Sequence, residues 1–245
     1  AFWASEADTA SKSKPKFRLM NLKLKKLIGL VYATDELLAD STALESVMQR
    51  AFAEEFGFKV DDAIINGDGA GKPKGILNSD ALVTVAKEIG QLANTIVAEN
   101  IVNMYSRMPA SSLRTGEWYI NQAVWPQLSM LNVIGGTAST PVFLPPGGLS
   151  SAPFGTIMGR PINPIEHCAA LGTVGDIIFA DLDQYVFIEK GGIKADQSIH
   201  VQFLTDEMAF RFIMRVDGQP IQNAALTPFK GTDTISPFVA LATRA

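Results

Sequence analysis

A soluble, globular chain of the α+β or α/β class is what the sequence predicts, and three observations point to it. The chain has 245 residues, 47% hydrophobic and 19% charged, long enough for one large domain or two interleaved ones. One stretch repeats its apolar residues at helical spacing, and several short runs rich in β-branched and aromatic residues lie between Gly, Pro and Asp. Gly 20 and Pro 13 are near ordinary usage, which excludes collagen-like and low-complexity chains. The one cysteine, Cys168, allows no internal disulfide and no Cys/His zinc framework. The longest clean apolar run, Leu27 to Ala33, falls far short of the ~20 residues that span a bilayer. Nothing at the N-terminus reads as a signal peptide.

Taken in order, AFWA (Ala1 to Ala4) reads as the end of a strand. The polar stretch from Ser5 to Lys16, with Pro15, reads as a loop or hairpin tip. Phe17 to Tyr32 alternates as a long strand, and a phase slip near Asn21 predicts a bulge. Only four residues of a partner strand precede the tip, so the pattern predicts further chain upstream of Ala1. A helix follows: Thr42 and Glu45 fit a capping box. Leu44, Val47, Met48, Ala51 and Phe52 form one apolar stripe. The helix is expected to run to about Ile65, roughly 35 Å at about 1.5 Å per residue.

The run from Asn66 to Leu77 (NGDGAGKPKGIL) predicts a tight, glycine-dependent turn after the helix. Ala98 to Arg107 is expected as a helix and Glu117 to Ile120 as a short strand, with Asn121 capping a helix through Leu131. Ile134 to Gly159 is expected as a long surface loop. Ile177–Ala180 and Tyr185–Ile188 read as strands around the turn Asp181–Gln184. His200 to Val216 reads as mixed strand, with Arg215 to Gly218 closing a hairpin.

Charge is informative locally. The overall −4 argues against a dedicated nucleic-acid binder. Ala1 to Leu30 holds seven basic residues against two acidic ones, a balance of +5. Asp35 to Asp62 holds two basic against eight acidic, a balance of −6. Either both are solvated faces, or one copy's basic ribbon lies on another copy's acidic segment.

A search for catalytic chemistry yields no enzyme. Gly71-Lys72 is followed by Pro73, and the preceding element is helical, so the phosphate-loop pattern is not met. Asp62, Asn66 and Asp68 do not follow the spacing of a calcium loop. His167 and Cys168 are adjacent, and on an extended chain they point to opposite faces, so a buried thiol is expected. Asp61-Asp62 is expected to be solvated.

The run from Leu27 to Leu77 resembles the tailed-bacteriophage major capsid proteins with the Hong Kong 97-type shell fold. A basic alternating strand, ATDELLADS, a capped helix and AIINGDGAGKPKGIL follow one another in that family's order. The most specific part is Asn66, Gly67, Asp68 and Gly69 with Gly71, Pro73 and Gly75. Weaker matches continue at Gly159–Ile165, Gly175–Ile193 and Phe210–Gly218, covering nearly the whole chain.

The resemblance implies an α+β architecture. Residues 1–18 would be the tip and returning strand of an extended loop, residues 19–77 with 210–245 a peripheral domain, and residues 78–209 an axial domain. Thr42–Ile65 would be the spine helix, and the loop Gly135–Gly148 would sit near a capsomer centre. It implies hexamers and pentamers of one chain closing an icosahedral virion shell around weakly contacted DNA. A scaffold segment or protein, a maturation protease and a portal would take part in assembly in the host cytoplasm. No cofactor and no membrane is implied. Trp3, Glu6, Lys12, Lys14 and Lys16 are expected at subunit interfaces, facing Asp35, Glu36 and Glu45 of another copy. The prototype's covalent cross-link joins a loop lysine to an asparagine with a glutamate's help. Here the matching regions read Phe203 to Asp206 and apolar residues near Ile213, so no self-made cross-link is expected. A shell protein of the same fold enclosing cargo enzymes is the alternative, and a small-molecule-binding protein or enzyme is the alternative from another class. The GDGAGKPKGIL run favours the coat protein.

Overall fold

Strand β11 (Glu207–Pro220) is the longest strand among the described residues and collects three partners there. A computed structural model describes residues 18–34, 36, 44–135, 138–141, 155–202 and 204–245. Along one side of β11 lies β1 (Lys25–Thr34), antiparallel from Lys25 opposite Val216 to Thr34 opposite Glu207. Along the other lie β10 (Lys194–Gln202) and, at the far end, β9 (Tyr185–Glu189), both antiparallel. Burial alternates along β1 with Leu27, Val31 and Ala33 on the covered face, as a sheet wet on one side requires.

The cover is the helix α1 (Leu44–Asn66). Phe52 stacks on Phe212 at 4.4 Å between centroids, and Phe56 meets Phe52 edge-on at 6.2 Å. Gly29 lies opposite Phe212, and a Cβ there would stand 2.5 Å from the Phe52 ring. The strand therefore needs glycine where the helix crosses it most closely. Two sequence expectations are corrected here. The stripe that packs is Met48, Phe52 and Phe56, whereas Val47 and Ala51 are exposed. The phase of alternation slips between Leu24 and Lys25 instead of near Asn21, and the strand starts at Lys25 with an unbroken register.

A second, mixed sheet of six strands runs in the order β2 (Val83–Val85), β12 (Phe238–Leu241), β8 (Ile177–Ala180), β3 (Glu117–Ile120), β7 (Arg160–Pro164) and β6 (Thr156–Ile157). Its alternating residues feed two cores. Trp118, Ile120, Ile177, Phe179, Val239 and Leu241 face the helices α2 (Ala98–Ser106) and α3 (Trp125–Ser129). Trp118 stacks on Phe179 at 4.3 Å and donates to the carbonyl of Ile157 at 3.0 Å. Ile178, Ala180 and Phe238 face the other way, onto Ile65, Ile76 and Cys168. One helix thus packs its middle on the first sheet and its C-terminal end on the second.

The strand expected at Glu117–Ile120 matches, and the helix expected from Ala98 to Arg107 runs over Ala98–Ser106. The Asn121 side chain accepts from the Ala123 amide at 2.9 Å as the cap of a 3-10 turn (Gln122–Val124), from which α3 continues only to Ser129 instead of Leu131. Other expectations are corrected. The expected loop from Ile134 contains the hairpin of β4 (Asn132–Gly135) and β5 (Ala138–Pro141), followed by β6. Arg215 to Gly218 closes no hairpin but lies inside β11, and the turn falls near Asp206, whose φ is 55°. Strands β8 and β9 flank a short 3-10 turn as expected but enter different sheets. Strand β12 pairs in the second sheet and β10 in the first, so the chain crosses between the two bodies after residue 180 and again before residue 238.

The C-terminal segment is stitched into the second body. Arg244 and Asp176 form an ion pair with both side chains at 0% exposure. The Arg244 guanidinium also donates to the carbonyls of Thr95 and Ala242, and Asp176 accepts from the amides of Gly172 and Ile177. A buried pair persists when its remaining donors and acceptors are filled in this way.

Candidate functional site

The glycine-rich run is a closed turn that folds α1 back on itself. The amide of Gly67 continues the helix to the carbonyl of Ala63 at 3.0 Å. Gly75 then donates to Gly67 at 2.7 Å, Ile76 to Ile64 at 2.8 Å and Leu77 to Ile65 at 3.0 Å. The returning chain thus satisfies carbonyls that a helix end leaves bare. A Cβ on Gly67 would collide with the carbonyl oxygens of Pro73 and Ala63, so glycine is required by space alone. Asn66 donates to Asp62 at 2.9 Å and to the carbonyl of His167 at 2.8 Å, tying the turn to the second body. Asp68 accepts from the Ala70 amide at 2.9 Å, a local turn bond.

One side chain closes the turn from outside. The Lys25 ammonium donates to the carbonyls of Gly69 at 2.8 Å and Lys72 at 2.6 Å, and lies 3.3 Å from the Asp217 carboxylate. Asp217 is 5% exposed and accepts from the amides of Lys23 at 2.7 Å and Gly218 at 2.9 Å. Lys74 donates its amide to the carbonyl of Gly218 at 2.8 Å, and the Tyr185 hydroxyl donates to the carbonyl of Lys74 at 3.0 Å. Burial, then the nearby Asp217 charge, pushes the Tyr185 hydroxyl above its ordinary range. Sequence reasoning missed Lys25, Tyr185 and Asp217. The signal was present for Lys25, which stands on the same strand phase as Leu27, Val31 and Ala33, where an ammonium must find acceptors.

The expected interface residues fall differently. Trp3, Glu6, Lys12, Lys14, Lys16 and Asp35 lie outside the described residues, as does Thr42. Glu36 is exposed, and the backbone of Glu45 lies in α1.

A groove of about 430 Å³ opens between α1 and the second sheet. Phe58, Ile64, Tyr119 and Leu182 wall it, with Asp61 and Glu166 among its lining residues. The Phe58 ring lies 4.3 Å from that of His167. Burial, with Glu117 second, raises the Tyr119 hydroxyl well above its usual range. The neighbouring Cys168 is buried, and its thiol is pushed up to about 12 by burial with a smaller push from Asp176. A thiol held neutral is a packing group at ordinary pH. Among the described residues no group of three or more His, Cys, Asp or Glu is arranged to hold a metal ion, and no helix is long and apolar enough to cross a membrane.

The sequence pattern of the phage capsid family matches residues 1–231. Among curated proteins none matches. Solved structures do. The capsid of a native GTA particle superposes with a TM-score of 0.79 at 19% identity, covering 100% of this chain and 81% of that one. Gordonia phage Cozz gives 0.63 at 12% identity, over 100% and 78%. The holo-SrpI encapsulin complex from Synechococcus elongatus PCC 7942 gives 0.58 at 12% identity, over 89% and 73%. At these identities the likeness is one of fold, and the fold is the α+β, Hong Kong 97-type shell fold.

Proposed function

This chain belongs to the phage capsid family, and from that premise we propose how its copies build and fill a shell. It is a structural major capsid protein of an icosahedral shell. We infer hexamers and pentamers as the capsomers, DNA as the contents, and a virion location after assembly in the host cytoplasm. A scaffold segment or protein, a protease and a portal act during assembly, and the chain itself performs no catalysis.

The observation that carries this reading is the span of α1, packed on the first sheet by Phe52 and Phe56 and on the second by Ile65. A helix shared by two cores makes one stiff plate of two bodies, which suits a tile. We take the four-stranded sheet with α1 as the peripheral body and the six-stranded sheet as the axial body. Relative to the expected bounds of residues 78–209 and 210–245, β9 and β10 thereby move to the first and β12 to the second. The basic loop with Trp3, Glu6, Lys12, Lys14 and Lys16 lies on a neighbouring copy. Its acidic partners include Asp35, Glu36 and Glu45, and Asp61 and Glu166, which line the groove, are further candidates. Each exposed pair contributes only about 0.2–1 kcal/mol, and repetition around a closed shell multiplies the effect.

Nuclease treatment of purified particles tests the contents. Protected double-stranded DNA is expected; particles that hold a defined cargo protein and no nucleic acid would favour the compartment reading instead.

A further inference from the structure

We propose that Lys25 and Asp217 form a pivot that couples the launch angle of the N-terminal loop to the turn at the end of α1. The proposal rests on the shell reading for its consequence and on the geometry alone for its mechanism. The Lys25 ammonium has three donors and faces three acceptors on two segments: the carbonyls of Gly69 and Lys72, and the Asp217 carboxylate. Asp217 holds the chain two residues upstream through the Lys23 amide at 2.7 Å. The same stretch of β11 holds the turn independently, through the bond from Lys74 to Gly218 at 2.8 Å. The incoming chain, the helix end and strand β11 therefore meet at one ionic node, with Asp217 buried and Lys25 partly exposed.

Upstream, the next fixed point is Arg18, which donates to the carbonyl of Ile221 at 2.7 Å. Between these staples residues 19–22 belong to no strand, and Leu19 is 90% exposed. That is the layout of a hinge, a few residues free to change φ and ψ between two held points. A polar network of this kind, with every member filled, has one low-energy arrangement. It fixes, in every copy, the end of the hinge from which the loop departs. Lys25 and Asp217 are positioning residues: they act through the loop and the turn that they hold.

The test is hydrogen exchange on the unassembled protein, beside the size distribution of assembled particles. Lys25→Met alone leaves Asp217 without its cation in a buried place, so Lys25→Met/Asp217→Asn is the working variant, which removes both charges and keeps the shape. The expected result is faster exchange, on the order of tenfold, in residues 19–24 and in residues 67–76 together, with α2 and β8 unchanged. Particles of the variant are expected to vary in diameter where the wild type is uniform. Faster exchange in only one of the two segments would overturn the coupling, and uniform particles from the variant would overturn its role in assembly. A wild type that forms no shells would sink the shell reading while leaving the exchange result to decide the pivot.

Discussion

Lys25 and Asp217 meet 3.3 Å apart across neighbouring antiparallel strands, and each also holds a segment the other does not touch. Asp217 sits inside β11, a place where an Asp-Gly pair ordinarily signals a turn. A strand tolerates it here because the carboxylate is filled by two amides and an ammonium. The ionic node thus explains a strand that local chemistry argues against.

The second buried pair predicts a double-mutant cycle. Arg244→Met leaves Asp176 charged and fully buried and is expected to cost about 3–5 kcal/mol in urea denaturation. Adding Asp176→Asn should recover a substantial part of that loss. Equal losses in the single and double variants would mean the pair is not coupled.

Gly67→Ala forces a methyl into two carbonyl oxygens of the turn. A loss of more than about 2 kcal/mol, or failure to yield folded protein, is expected. Gly71→Ala has open space and a φ of +74°, so it should cost only about 1 kcal/mol. Thermal melts of both variants against wild type measure the difference.

Cys168 gives a pH dependence with a definite sign. Its thiol moves from an ordinary 9.0 to about 12 in the folded protein. The unfolded chain therefore releases the proton first as pH rises above 9.0, and stability falls between that point and about 12. At pH 8 a thiol reagent should leave the native protein unlabelled and modify it on unfolding. Rapid labelling of the native state would contradict the buried, neutral thiol.

Much of the local structure was legible in the sequence. Ala98–Ser106, Glu117–Ile120 and the Asn121 cap follow from spacing and side-chain chemistry within a few residues. The pairings were not legible, because partners far along the chain decide them. Only a 3-10 turn separates Ala180 from Tyr185, yet β8 joins one sheet and β9 the other. Val47 and Ala51 have the spacing of a packed stripe but stand exposed, since the sheet meets α1 along Met48, Phe52 and Phe56. The candidate site divided the same way. The turn from Asn66 to Gly75 was readable from its glycines and proline, whereas the Lys25 closure needed the fold to bring β1 beside it.

Charge reversal at Lys14 and Lys16 is expected to lower particle yield, most strongly at low salt where screening is weakest. Reversal at Asp61 and Glu166 in the same chain should restore part of it if these groups face each other between copies. Sedimentation of assembly reactions across a salt series reads both effects, and an unchanged yield at every salt concentration would remove the electrostatic contact.

Boiling assembled particles in detergent is expected to release single chains on a gel. On the resemblance, Phe203 to Asp206 and the apolar residues near Ile213 are expected at the places of the prototype's cross-linking asparagine and glutamate. A ladder of covalent multimers would show that another residue pair supplies the bond.

Electron microscopy of particles purified from cells expressing the protein tests the central claim most directly. Closed shells of uniform diameter, with copies arranged around fivefold and sixfold centres and α1 spanning the two bodies of each copy, are predicted. A monodisperse solution of single chains, with the lysine-bearing loop folded onto its own surface and a small molecule seated in the groove beside Phe58, would contradict it.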